Sequence, residues 1–280
     1  MRIKFTKEKI EEFIKQGRGS GELALYKPWI LTRELTGAPS RKIRVKGLFT
    51  RRVHHLLSDL EKKIFFQLEW LNVYDIREQY PLLPNAETIK IAQEYDLRHP
   101  IYPYTSLPTV MTTDFLVTKI IKGQKKYIAI CAKYSKDLEK SRTLKKIEIE
   151  RRFWERKGIE FKIFTEKDVN PILIKNIIDF RDAYDCSLIK EISLSQIDEI
   201  KTDLLSMISE TNRTVKESVD YLDTKYKLPK GYSFFVFRHM VAQKIIPIIM
   251  EKPFSIQRRF LDVIDYQKTG IGIGWNNKCC

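Results

Sequence analysis

Along residues 53–71, VHHLLSDLEKKIFFQLEWL, apolar side chains recur at three- and four-residue steps. Val53, Leu57, Leu60, Ile64, Leu68 and Leu71 fall on one side of a helix, the clearest helical segment of the chain. Glu61 lies one turn from both Leu57 and Phe65, at the margin of that stripe. An inward carboxylate needs a partner or a cation, because desolvating it unpaired is costly. A salt bridge at the rim is the plain structural reading of such a residue.

Around this helix the pattern alternates between strand and helix. Residues 6–16 predict an opening helix that stops at GRGSG, where glycines break the periodicity. Residues 36–52 are basic and alternating, a short hairpin leading into the helix. VYDIREQYPLLP reads as a strand, and TIKIAQEYDLRHPIYPYTSLP as a strand followed by a Pro-rich loop. Residues 112–133, TTDFLVTKIIKGQKKYIAICAK, predict a β-hairpin, 136–157 a charged helix, and IEFKIFTE a strand. This order predicts an α/β fold, a mixed sheet with flanking helices.

The character changes near TEKDVNP, at 165–171, so domains of 1–168 and 169–280 are expected. Helical segments follow at 172–184, 194–208 and 214–227, then the turn LPKG and a helix over 232–246. PIIMEKPFSIQRRFLDVI would form a wing, with Arg258 and Arg259 near its return. A winged-helix-like module is one reading of this part. A small helical interaction domain without a DNA role is the other, with equal weight. GIGIGWNNKCC has the composition of a flexible tail.

Composition narrows the class. No apolar run reaches the roughly 18–20 residues of a membrane helix, and the charged start lacks the apolar core of a signal peptide. A cytoplasmic protein is expected. Of four cysteines, Cys279 and Cys280 are adjacent, Cys131 and Cys186 lie in apolar stretches, and none has zinc-site spacing. The 51 Lys and Arg against 36 Asp and Glu leave a net charge of +15, which favours a polyanionic partner, nucleic acid before membrane. Arg41, Lys42, Arg44, Lys46, Arg51 and Arg52 are candidates for a phosphate-binding surface. A merely solvated face accounts for any one of them as well.

The 112–133 hairpin carries candidate chemistry. A two-residue turn at Gly123-Gln124 would set Asp114 opposite Lys133 and Cys131 opposite Leu116, with Cys131 and Lys133 on one face. Phosphodiester hydrolysis needs a divalent cation, and Mg²⁺ prefers carboxylate oxygens with water completing its shell. Glu61 would supply a second acid, and Lys133 would orient the water or stabilise developing charge. From geometry alone, a buried Asp–Lys ion pair accounts for the same spacing.

The blocks RRVHHLLSDLE, EWLNVYDIREQYPLLP, MTTDFLV, AICAK, RTLKKIEIERRFW and FKIFTEKDVNP resemble the TnsA endonuclease subunit of heteromeric cut-and-paste transposases. The resemblance covers most of residues 45–172. It implies a restriction-endonuclease-like N-terminal domain and a winged-helix-like C-terminal one. It also implies Mg²⁺-dependent nicking of transposon-end DNA at the 5′ ends, with Mn²⁺ able to substitute. The implied partners are an RNase H-like transposase of TnsB type and an AAA+ ATPase regulator of TnsC type, the latter held by the C-terminal domain. The implied setting is the bacterial cytoplasm, at the nucleoid when acting. By the same resemblance Glu61 and Asp114 are metal ligands, Lys133 is the catalytic lysine, and the Ala132 carbonyl faces the metal. Cys131 stands where the family has Gln or an acid. A thiol is soft and mostly protonated near neutral pH, a poor ligand for Mg²⁺. Water, or Glu150 from the following helix, would fill that place. Two other readings remain: a catalytically weakened DNA-binding subunit that recruits the regulator, and a stand-alone restriction-type nuclease.

Overall fold

The computed structural model describes residues 5–34, 43–189, 191–209, 212–265 and 267. It divides into two compact units, Met1–Val169 and Asn170–Cys280. Among the described residues no helix is long and apolar enough to cross a membrane.

The first unit opens with α1 (Lys7–Lys15), capped by the Thr6 hydroxyl. Strands β1 (Ile43–Lys46) and β2 (Val53–Leu56) pair into a small antiparallel hairpin. Helix α2 (Asp59–Trp70) follows, and the strand shortens the helix expected over 53–71. Ser58 sets its start, because the Ser58 hydroxyl accepts from the Glu61 amide at 3.1 Å. The stripe survives in part: Leu60, Ile64 and Leu68 are buried, while Val53 is a half-exposed strand residue.

The main sheet has the order β3–β4–β5–β6, formed by β3 (Asp75–Pro81), β4 (Thr112–Ile121), β5 (Gln124–Ala132) and β6 (Glu160–Phe164). Its first two pairings are antiparallel and β5–β6 is parallel. The parallel pair needs a crossover, which α4 (Ser141–Arg156) provides. Between β3 and β4 lies α3 (Asn85–Glu94), where a strand was expected. TIKIA alternates over too few residues to decide the period. Thr88, Ile91 and Ala92 are buried at helical spacing, and burial of that stripe selects the helix. The core between sheet and helices is Leu82, Ile91, Met111, Leu116, Ala129, Ile149, Phe153 and Trp154.

The β4–β5 register differs from the expected one. Lys122 and Gly123, at φ 51° and 76°, make the turn, so Ile121 pairs with Gln124 and Leu116 with Ala129. Both central residues lie in the left-handed region, as a tight hairpin of this twist requires. Moving the turn by one residue shifts the register by two, so Cys131 does not face Leu116 and Asp114 is not opposite Lys133. The ladder's last pair is Phe115–Ile130, after which the two strands part.

The second unit is helical: α5 (Pro171–Arg181), α6 (Leu194–Ile208), α7 (Val215–Lys225), α8 (Tyr232–Ala242) and the short α9 (Phe260–Val263). The Asp223 carboxylate accepts from the Gly231 and Ser233 amides at 2.6 and 2.7 Å and so fixes the α7–α8 turn. In the stretch expected as a wing, Ile248–Ile264 and Thr214–Arg259 are isolated bridges rather than a ladder. The terminal segment GIGIGWNNKCC lies outside the described residues.

Candidate active site

Glu61 occupies the first turn of α2, and its carboxylate is buried there. One oxygen accepts from the Leu57 amide at 2.9 Å and from the Gln79 side-chain amide at 3.3 Å; the other accepts from the Ser58 hydroxyl at 2.9 Å. Burial, and then the charge of Asp114, push its pKa up to about 7 against the pull of those hydrogen bonds and of Lys133. Glu61 and Asp114, more than fifty residues apart in sequence, therefore share one electrostatic environment.

Where β4 and β5 separate, the Asp114 carboxylate fills the gap. Its Oδ2 accepts from the Ala132 amide at 2.7 Å and from Lys133 Nζ at 2.8 Å. Lys133 Nζ also donates to the Ala132 carbonyl at 2.9 Å. The Asp114–Lys133 contact anticipated from the hairpin is present, but across parted strands instead of between facing positions. Burial acts to lower the lysine pKa; the Asp114 and Glu150 carboxylates outweigh it and hold Lys133 protonated well above its ordinary range.

Glu150 projects from α4 and is buried. It accepts from the Thr113 hydroxyl at 2.7 Å, and Thr113 in turn accepts from the Trp154 indole at 2.6 Å. The Cys131 side chain is its other hydrogen-bond partner. Burial and then Asp114 push Glu150 up to about 8. Burial and then Glu150 and Asp114 raise the Cys131 thiol far above the usual thiol range. Cys131 is thus a fully buried side chain beside Glu150, where burial and the neighbouring carboxylates keep its thiol protonated.

Gln79 was not singled out by the sequence. It lies between Glu78–Phe115 and Tyr80–Thr113 in the β3–β4 register, across from Asp114, with φ 48°. Its side chain touches Glu61 at one end and the Thr112 hydroxyl, at 3.4 Å, at the other. An amide between a helix-borne acid and a strand-borne hydroxyl is a recognisable feature only once α2, β3 and β4 are brought together.

The basic candidates fare differently. Arg41 and Lys42 lie outside the described residues. Arg44 and Lys46 alternate along β1 and are exposed, as is Arg51. Arg52 is removed from the phosphate-binding set: its guanidinium makes two bonds to the buried Glu78 carboxylate, at 2.6 and 2.7 Å, and one to the Ile76 carbonyl. Arg258 is exposed, and Arg259 pairs with Asp262 at 3.2 Å.

Among the described residues no group of three or more His, Cys, Asp or Glu is gathered so as to hold a metal. The donor chemistry nevertheless suits a hard dication. Asp114 Oδ1 takes no hydrogen bond from the described residues, and burial and the Asp114 charge raise two neighbouring carboxyls that a cation would stabilise in their charged form.

Two family models match the chain: the TnsA-like endonuclease N-terminal model over residues 71–166, and the TnsA endonuclease C-terminal model over 168–250. The chain is also 35% identical over 263 residues to the transposon Tn7 transposition protein TnsA of Escherichia coli, covering 91% of this chain and 90% of that protein. Glu61 precedes the stretch matched by the N-terminal model.

Proposed function

The chain belongs to the TnsA family of transposition endonucleases, and on that premise we propose that Glu61, Asp114 and Lys133 are the hydrolytic centre with which it nicks the 5′ ends of a transposon. It is a metal-dependent nuclease subunit of a heteromeric cut-and-paste transposase. The observation that carries the site assignment is the 2.8 Å contact of Lys133 with Asp114, made where the strands part and beside the Glu61 and Glu150 carboxyls.

Glu61, Asp114, the Ala132 carbonyl and Glu150 would hold the cation, Mg²⁺ with Mn²⁺ able to replace it. When bound, it would polarise the phosphodiester and acidify the attacking water. Asp114 is oriented by the Ala132 amide, so its second oxygen is free to face the substrate. Lys133 stays protonated and acts as a donor, aligning the water or stabilising charge on the phosphate oxygens, not as a general base. Cys131 keeps Glu150 hydrogen-bonded and leaves the oxygen donation to it.

The residues 1–168 would carry this chemistry, and 169–280 would bind DNA and partners. Those partners are an RNase H-like transposase of TnsB type, which cuts and joins the 3′ ends, and an AAA+ regulator of TnsC type. A reconstituted complex tests the reading. Asp114→Ala abolishes 5′ nicking while 3′ joining continues; persistent 5′ cutting would show the site to lie elsewhere. Cys131 motivates a catalytically weakened subunit instead, and then the wild-type complex gives only 3′-joined cointegrates. Cleavage by the purified chain alone would identify a stand-alone nuclease.

A further inference from the structure

Helix α4 buries Ile147, Ile149, Glu150, Phe153 and Trp154, whereas residues 141–146 bury none. Arg142, Lys146 and Glu150 follow one another at four-residue steps, so they form one row along the helix. At about 100° per residue, this row lies on the side that meets the sheet from Ile147 onward. The sheet-facing side of α4 thus changes from apolar core, through Glu150, to two cations that solvent reaches. The charge of Lys133 is felt at Lys146, so this exposed end of α4 lies beside the candidate site.

The two cations are also uncompensated. Among the described residues neither Arg142 nor Lys146 has an ion pair. Other cations nearby do: Lys140 pairs with Asp137, and Arg151 and Arg152 both pair with Glu148. Lys146 is depressed below the ordinary lysine range by burial first, then by Arg142 and Lys133. Two other positive groups therefore act on Lys146, an arrangement an anion beside it would relieve.

We propose that Arg142 and Lys146 form a phosphate track that grips the DNA backbone next to the scissile phosphate and positions the strand entering the Glu61–Asp114–Lys133 site. The proposal rests on the nuclease reading. The track would be sequence-independent, since it reads phosphates and not base edges. Its two members are positioning residues.

Binding of a duplex of arbitrary sequence by the full chain, in an Asp114→Ala background that prevents cleavage, provides the test. Arg142→Gln with Lys146→Gln lowers affinity on the order of tenfold per lost contact at 0.1 M salt. The slope of log affinity against log salt becomes shallower by about 2. Lys145→Gln, exposed but one step round the helix, changes the affinity and the slope much less. An unchanged slope in the double variant, or an equal change in Lys145→Gln, overturns the proposal. A second measurement uses single-turnover nicking by the reconstituted complex. The double variant needs more DNA for half-maximal rate but reaches the wild-type rate at saturation; a slower saturated rate with unchanged DNA requirement also overturns it. If Asp114→Ala still cuts, the site assignment fails while the binding result stands separately.

Discussion

Gln79 holds a left-handed backbone that costs a non-glycine residue roughly 1–2 kcal/mol, and it does so between Glu61 and the strand carrying Asp114. Strain of this kind persists where surrounding structure overdetermines it. Gln79→Gly relieves the backbone and removes the amide together. We expect the melting transition to stay within about 1 kcal/mol of wild type, while 5′ nicking falls roughly tenfold or more, as for loss of a group that orients a ligand. Nicking at the wild-type rate would make Gln79 a backbone feature alone. Cys131 is the opposite case, a buried thiol held protonated beside Glu150. Cys131→Ala leaves the preference for Mg²⁺ over softer metals unchanged and costs about 1–2 kcal/mol of stability, as for loss of one buried donor. A rate comparison across Mg²⁺, Mn²⁺ and Cd²⁺ checks this.

At the scale of elements, the β1–β2 hairpin is keyed to the main sheet by buried polar contacts. His54 in β2 bonds Thr50 at 2.7 Å and Glu78 in β3 at 2.8 Å, and Arg52 adds two bonds to the same carboxylate. Gly47 makes room for this arrangement. A Cβ there would lie 2.0 Å from the Thr50 hydroxyl and 2.8 Å from the His54 ring, both buried and held by partners. Gly47→Ala therefore destabilises the chain by roughly 1–3 kcal/mol, measured by denaturant unfolding. Because Arg44 and Lys46 ride on this hairpin, the variant also weakens duplex binding if those residues meet DNA. The parting of β4 and β5 is the other element-level device. The Ala132 amide, which would continue the ladder, turns to Asp114 instead.

For the whole molecule, Glu78 couples stability to pH. Burial alone would raise its pKa; the charges and hydrogen bonds of His54 and Arg52 outweigh that and depress it far below the ordinary carboxylate value. A depressed carboxylate contributes stability that is present above its unfolded-state pKa and lost as pH falls through the folded one. The melting temperature should therefore decline on acidification below the ordinary carboxylate range. Glu78→Gln lowers stability by roughly 3–5 kcal/mol at neutral pH, because it leaves Arg52 buried without its counter-charge, and it flattens that acid limb. Melting curves across pH for both proteins measure the effect. An acid limb of the same steepness in Glu78→Gln would assign the loss to other carboxylates.

The sequence by itself determined much of this protein. The stripe of Leu60, Ile64 and Leu68 marks α2, the alternation of 112–133 marks the hairpin, and the blocks around Glu61, Asp114 and Lys133 point to the nuclease family. These are local signals, carried by periodicity and by residues close in the chain. The turn at Lys122-Gly123 leaves the side chains of β5 on the faces their alternation assigns, because a one-residue change of turn moves the partner strand by two. Tertiary structure alone decided the rest. Whether TIKIA is helix or strand depends on which stripe the core buries. Arg52 looks like any surface arginine until Glu78, twenty-six residues away, is folded against it. Gln79, Glu150 and Cys131 acquire their roles only when three separate elements converge. Burial and charge in that convergence, not residue type, set which groups are protonated, and so what each can do.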